Sequence, residues 1–153
     1  MTPDSDLFEE ARRLGVELEW IEWPPGTKCR GFTLYDPVWR RWVVLLDRKI
    51  EARRAMFRCV FAEELGHVAT ASVVPVGLAR RWILCSRAEE RAFRWAARML
   101  MPPNEVGRVL RKHGADLSAV ADAFEVTEPF ARRALALYRV AAVDRATVYG
   151  MEA

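Results

Sequence analysis

The order of apolar and polar residues divides the chain into short segments with two different periods. Leu7, Ala11 and Leu14 recur at helical spacing over residues 6–14, and Gly15 follows as a natural cap, the pattern of a short amphipathic helix. Over residues 16–23 the pattern changes to apolar residues mostly alternating with Glu17, Glu19 and Glu22, the period of a half-buried strand, until Pro24-Pro25-Gly26 stops it. Two more strand-like runs occupy residues 31–35 and 41–46, with Asp36-Pro37 as a turn between them. Three strands with connections this short predict an antiparallel meander, one face of which is available to a helix. A helix is predicted over residues 51–71, where Ala52, Met56, Cys59, Glu63, His67 and Thr70 form an inward seam. After a loop over residues 71–77 and a short apolar stretch, Ser86 is the expected N-cap of a second long helix, 87–101. Its seam is Ala88, Ala92, Trp95, Ala96 and Met99, its basic stripe Arg87, Arg91, Arg94 and Arg98, and Pro102-Pro103 ends it.

The last third reads as three shorter helices. Asn104 is placed to cap one that runs through Val106, Val109 and Leu110 and closes at His113-Gly114, with His113 as a surface residue facing the helix dipole. Asp116 caps residues 117–124, and Thr127 caps a helix over 130–140 after the turn at Val126. These last two form a helix-turn-helix pattern with Ala121, Val126 and Leu135 in core positions and Glu125 where Gly is usual. The second of them opens on Glu128-Pro129 and offers only Arg132 and Arg133 as cations. Helix packing is therefore the default reading and DNA recognition the weaker one.

Composition narrows the class of protein. A chain of 153 residues that is 52% apolar and 29% charged fits one globular domain with a core of its own. No apolar run approaches the roughly 20 residues of a membrane span. The start, Met1 to Asp6, is acidic and lacks the apolar stretch of a secretory signal, so the expected location is the cytoplasm. Cys29, Cys59 and Cys85 are odd in number and scattered, which excludes a Cys-x-x-Cys clip and predicts buried thiols. The net charge of +3 permits an acidic partner without requiring one.

Candidate chemistry lies in the two long helices. Glu63 and His67 are four residues apart, so both can reach one ion from the same helix face while Glu64 is swung aside. This is the layout of a His-Glu-x-x-His zinc helix with Glu63 in the first ligand position. An ionised carboxylate in an inward seam needs a partner, and a metal or an Arg would serve. Taken alone, the pair is more often a structural ion pair or a core histidine. Gly66, mid-helix, predicts close approach of another backbone or of substrate. Glu89 lies on the edge of the apolar face of the second helix. It fits the third, carboxylate ligand that such metalloproteases take from a later segment, although by itself a first-turn Glu more often stabilises the helix dipole.

Residues 58–70, followed by Glu89-Glu90-Arg91-Ala92-Phe93-Arg94-Trp95-Ala96-Ala97-Arg98-Met99-Leu100-Met101-Pro102, resemble the ImmA/IrrE family of zinc metallopeptidases. In that family a His-Glu-x-x-His helix is followed by Glu-x-x-Ala-x-x-Phe-Ala-x-x-Leu-Leu-Met-Pro, whose Glu is the third ligand. Aligned on Pro102, that Glu falls on Glu89, and Trp95 stands where Phe is usual. Phage-like members carry Glu-Glu-Leu-Gly-His, as here, and the resemblance extends over most of the chain, including Gly31 and residues 43–47. It implies an α+β fold: a small antiparallel sheet packed on a zincin-like, metal-bearing helix pair (residues 1–102) with a helix-turn-helix-like extension (103–153) on the same domain. It further implies Glu63, His67 and Glu89 as metal ligands and Glu64 as general base. Zinc is the expected ion, and a carboxylate-rich site also suits Mn²⁺ or Fe²⁺. Tyr35 and Tyr138 are both available as oxyanion donors, with nothing to choose between them. The implied activity is cleavage of a helix-turn-helix transcriptional repressor, often one encoded beside it in a mobile element. The alternative is a regulatory binding module on the same fold that does not cut its partner.

Overall fold

In the computed structural model the chain is α+β, with a three-stranded sheet and six α-helices among the described residues, 4–72 and 82–149. Helix α1, Ser5–Leu14, buries Leu7 and Ala11 and ends at Gly15, whose φ of 67° satisfies a left-handed cap. Strand β1, Val16–Ile21, follows at once, then β2, Gly31–Asp36, and β3, Arg41–Asp47.

The sheet is not the expected antiparallel meander. Its order is β1-β3-β2: β2 pairs antiparallel with β3 as a hairpin, but β1 pairs parallel with β3, Leu18 opposite Val44. The run Val43-Val44-Leu45-Leu46 accounts for the order. Val43, Val44 and Leu46 are all buried, so β3 is covered on both faces and takes the centre, whereas β1 exposes Glu17 and Glu19 and suits an edge. Arg41 on β3 pairs with Glu17 and Glu19 across that edge.

A single 3-10 turn, Arg48–Ile50, capped by the Asp47 side chain, leads to helix α2, Arg54–Ala69. The helix therefore starts later than the pattern predicts, and Ala52 is exposed. The buried residues of α2 are Phe57, Arg58, Cys59, Phe61, Ala62, Leu65 and Gly66, which is not the expected seam. A stripe is the wrong expectation for a helix that packs on α1, β2, β3 and the next helix, Trp82–Leu100, together. Phe57 and Phe61 stack at 5.5 Å with Phe8 and Trp20 around them, and Arg58 donates to Asp4 at 2.9 Å.

Helix α3, Trp82–Leu100, begins before Ser86, which lies inside the helix and is not its cap. The predicted loop over 71–77 falls mostly outside the described residues. Ala88, Ala92, Phe93, Ala96, Ala97 and Leu100 are buried, while Trp95 and Met99 are only partly so. Pro102, not the expected Asn104, occupies the N-cap position of helix α4, Pro103–His113, with no side-chain cap bond, and Pro103 at the first helical position has no N–H to satisfy. Asp116 caps helix α5, Leu117–Phe124, accepting from Ser118 and Ala119. Thr127 Oγ1 accepts from Phe130 N at the start of helix α6, Glu128–Tyr149. One buried cluster runs from Leu7 to Ala134. No helix is long and apolar enough to cross a membrane among the described residues.

Candidate metal centre

The centre forms where α2 and α3 approach at Gly66. A Cβ there would collide with the carbonyl oxygen of Ala92 and lie 3.0 Å from Ala92 Cα, so only glycine allows the backbones this close. The contact places the next residue of α2 against the residues of α3 that precede Ala92. His67 Nε2 lies 3.4 Å from Glu89 Oε1, and His67 Nδ1 lies 3.3 Å from the Ser72 carbonyl oxygen. A carbonyl only accepts, so Nδ1 carries a proton, and Nε2 faces a carboxylate. Such a nitrogen holds a second proton or gives its lone pair to a cation. Burial pulls the imidazole pKa down, but the bond to Glu89 and the charges of Glu89 and Glu64 outweigh it, so the net direction is up. The bond to His67 holds Glu89 below the usual carboxylate range although burial opposes it. Glu89 is at the rim, its side chain 61% exposed.

Glu63 sits one turn before His67, and its Oε2 is 4.0 Å from Arg133 Nη1 on α6. Burial pushes its pKa up to about 7; Arg133 opposes the rise, and the charges of Glu89 and Glu64 add to it. Glu64 points toward the sheet: Thr33 Oγ1 donates to Glu64 Oε2 at 2.6 Å, and a Cβ on Gly31 would lie 2.9 Å from Glu64 Oε1. Burial raises this carboxyl too, against the Thr33 bond and the His67 charge. Three carboxylates and one imidazole thus share a partly buried neighbourhood in which each alters the charge state of the others.

The contacts within the set are unequal. His67 and Glu89 meet directly, while Glu63 lies within ion-pair distance of Arg133 and Glu64 is held by Thr33. No three His, Cys, Asp or Glu side chains are gathered as a metal-holding group among the described residues. Glu63 and His67 nonetheless share a helix face, so a change of rotamer at Glu63 would carry its carboxylate toward the imidazole.

Thr33, Ser72 and Arg133 are the participants that sequence patterning missed. Thr33 and Arg133 act from separate segments brought in by the fold, and Ser72 acts from the turn just past the end of α2, where residue type gives no signal of a carbonyl contact. Arg133, considered from sequence as a residue for DNA, lies with its guanidinium carbon 3.7 Å from the centre of the Phe93 ring. Tyr138 donates to the Met101 carbonyl at 2.8 Å, and Tyr35 packs edge-on against Trp42. Cys59 is buried, as expected, but Cys29 is exposed, its thiol donating to the Gly31 carbonyl from the β1–β2 connection. The side chain of Cys85, the third of these thiols, lies outside those described. No protein-family model matches this chain, and no curated protein matches it.

Proposed function

We propose that the chain is a cytoplasmic, metal-dependent peptidase of the ImmA/IrrE kind that it resembles, acting on a helix-turn-helix transcriptional repressor. Glu63, His67 and Glu89 hold a divalent ion, zinc first, with Mn²⁺ or Fe²⁺ accommodated by the two carboxylates, and Glu64 is the general base. The observation that carries this reading is the orientation of His67. Its Nδ1–H is directed at the Ser72 carbonyl, which leaves Nε2 aimed at Glu89 across the α2–α3 crossing, the tautomer and support typical of a ligating histidine. The donor set fits a divalent ion in charge, since two carboxylates neutralise it. When bound, the ion would supply Lewis acidity to a peptide carbonyl and to water.

The chain's own residues do the rest. Thr33 fixes one oxygen of Glu64, so that Oε1 is the oxygen that takes a proton from water and later gives it to the leaving amine. Burial raises the Glu64 pKa toward the working range of such a base. Glu89, at the exposed rim, marks the side from which substrate enters. The deciding experiment measures metal in protein purified without chelators and follows a co-expressed candidate repressor encoded beside the gene. About one ion per chain, its loss in His67→Ala, and an intact repressor with Glu64→Gln are the expected results. Less than stoichiometric metal, together with a repressor whose fate ignores Glu64→Gln, would remove the proposal.

A specific observation favours the second reading, a regulatory module that binds without cutting. The His67–Glu89 and Glu63–Arg133 pairs balance charge within the protein without needing an ion. On that reading Glu64→Gln behaves as the parent protein in every assay of the partner.

A further inference from the structure

Beside the centre, α3 and α6 line an open groove of about 490 Å³ with Phe93, Ala136 and Leu137 as its apolar surface and Ser86, Glu90, Arg94 and Arg133 as its polar lining. A second depression of about 210 Å³ shares Glu90 and Arg94 and adds Arg87 and Arg91. The two are lined by four guanidinium groups and one carboxylate, and that carboxylate already accepts from Arg94 Nη2 at 2.6 Å. The lining is therefore cationic, over an apolar floor. Arg133 is common to the groove and the centre, since it lies on Phe93 while its Nη1 is 4.0 Å from Glu63 Oε2. A guanidinium held flat on a ring keeps its edge for carboxylate oxygens and loses little entropy on binding them.

We propose that this groove binds an acidic peptide segment, with carboxylates on Arg94 and Arg133 and an apolar side chain over Phe93, Ala136 and Leu137. Placing that segment in the protein substrate, next to the bond that is cut, rests on the peptidase reading; the preference of the groove for acidic and apolar side chains does not. Charge complementarity names the occupant. The volume suits one or two side chains and not a nucleic-acid backbone. In addition, α6 opens with Glu128-Pro129, which sets a negative charge and a residue without an N–H where a helix would otherwise receive phosphate.

The test uses the full chain carrying Glu64→Gln, which blocks cleavage, in buffer containing EDTA, so that neither cleavage nor metal enters the readout. Fluorescence anisotropy is measured with a short labelled peptide of Glu and Leu, with its Lys and Leu counterpart, and with a single-stranded oligonucleotide. The Glu–Leu peptide is expected to bind saturably and the Lys–Leu peptide not at all. Ala136→Trp, which fills the groove, weakens the affinity about tenfold, and Arg94→Ala, at an exposed position that leaves the core intact, about threefold. Equal binding of both peptides, tighter binding of the oligonucleotide, no saturable binding of the Glu–Leu peptide, or affinities unmoved by both substitutions would each overturn the proposal. Loss of this site with repressor cleavage retained leaves the peptidase reading standing. A working groove in a protein that takes up no metal removes the peptidase reading alone.

Discussion

The crossing of α2 with α3 and the α5–α6 hairpin are both close helix pairs, but they use their polar residues in opposite ways. In the hairpin the polar side chains complete the helices: Asp116 caps α5, Thr127 caps α6, and between them Val120, Ala121, Phe124, Val126 and Phe130 form an ordinary apolar interior. At the crossing the ionisable side chains cap no helix, although His67 Nδ1 reaches the Ser72 carbonyl. Glu63, Glu64, His67 and Glu89 are drawn together at the edge of the core, two of the carboxyls pushed upward in pKa by burial. The hairpin is built for stability, whereas the crossing accepts a cost to keep ionisable groups near one another. The contrast also bears on the helix-turn-helix pattern, because Arg133 of the hairpin is turned toward the crossing, over Phe93 and near Glu63.

The largest effect is expected at the crossing itself. Gly66→Ala gains about 1 kcal/mol of helix propensity if the site is open. Here the new methyl meets the Ala92 backbone, which cannot move without parting the helices, and a net loss on the order of 3 kcal/mol is expected in urea unfolding. A neutral or stabilising result would mean that the close approach does not exist. The next effect is electrostatic. In metal-free protein Glu63 keeps its proton up to about pH 7, whereas the unfolded chain releases it near the ordinary carboxyl value of 4.5. The folded state then binds more protons over that window, so stability falls as pH rises from about 4.5 to about 7 and is flat above. The full shift corresponds to about 3 kcal/mol. With the side chain 30% exposed, about 2 kcal/mol is the working expectation. His67, raised as well, extends the fall above 6.5, and Glu89, lowered, acts in the opposite sense below 4.5. Glu63→Gln should therefore match the parent only below about pH 4.5 and exceed it at pH 8 by about 2 kcal/mol. Equal urea midpoints of the two proteins at pH 8 would show that Glu63 carries no such burden.

The same contrast explains how much could be seen in the sequence. Features decided within one turn of chain were legible: the cap at Gly15, the stop at Pro102, and the caps Asp116 and Thr127 all rest on local backbone chemistry. The pairing of β1 with β3 was not, because strand order depends on which strand is covered on both faces, and β3 declares that only through its unbroken apolar run. The inward seam of α2 failed for a related reason, since a helix packed on several neighbours buries more than a stripe. For the candidate centre, spacing could place Glu63 and His67 on one face and point to Gly66 as a contact. It could not supply Ser72 behind His67, Thr33 on Glu64 or Arg133 beside Glu63. Thr33 and Arg133 arrive from other segments, and the Ser72 carbonyl reaches His67 only because the chain turns back at the end of α2.

In the hairpin smaller effects are expected, and they separate caps from strain. Asp116→Ala removes an oxygen that accepts from two backbone amides and should cost about 1 kcal/mol, seen as a lower urea midpoint. Glu125→Gly is predicted to act in the other direction. Glu125 has a φ of 53° and a ψ of 45° at the end of α5, a left-handed conformation that costs a side chain about 1 kcal/mol and glycine nothing. The substitution also removes the Glu125 carboxylate, which accepts from Arg54 Nη2 at 3.1 Å with both side chains well exposed, a pair that contributes less than about 1 kcal/mol. Arg54 keeps Asp4 at 3.7 Å as a second acidic neighbour, so its charge is not stranded. The greater freedom of glycine in the unfolded chain takes back part of the gain. A net stabilisation of about 0.5 kcal/mol is expected from the difference of these terms. A loss instead would show that the Arg54–Glu125 pair, and not the backbone, decides why a glutamate occupies this turn.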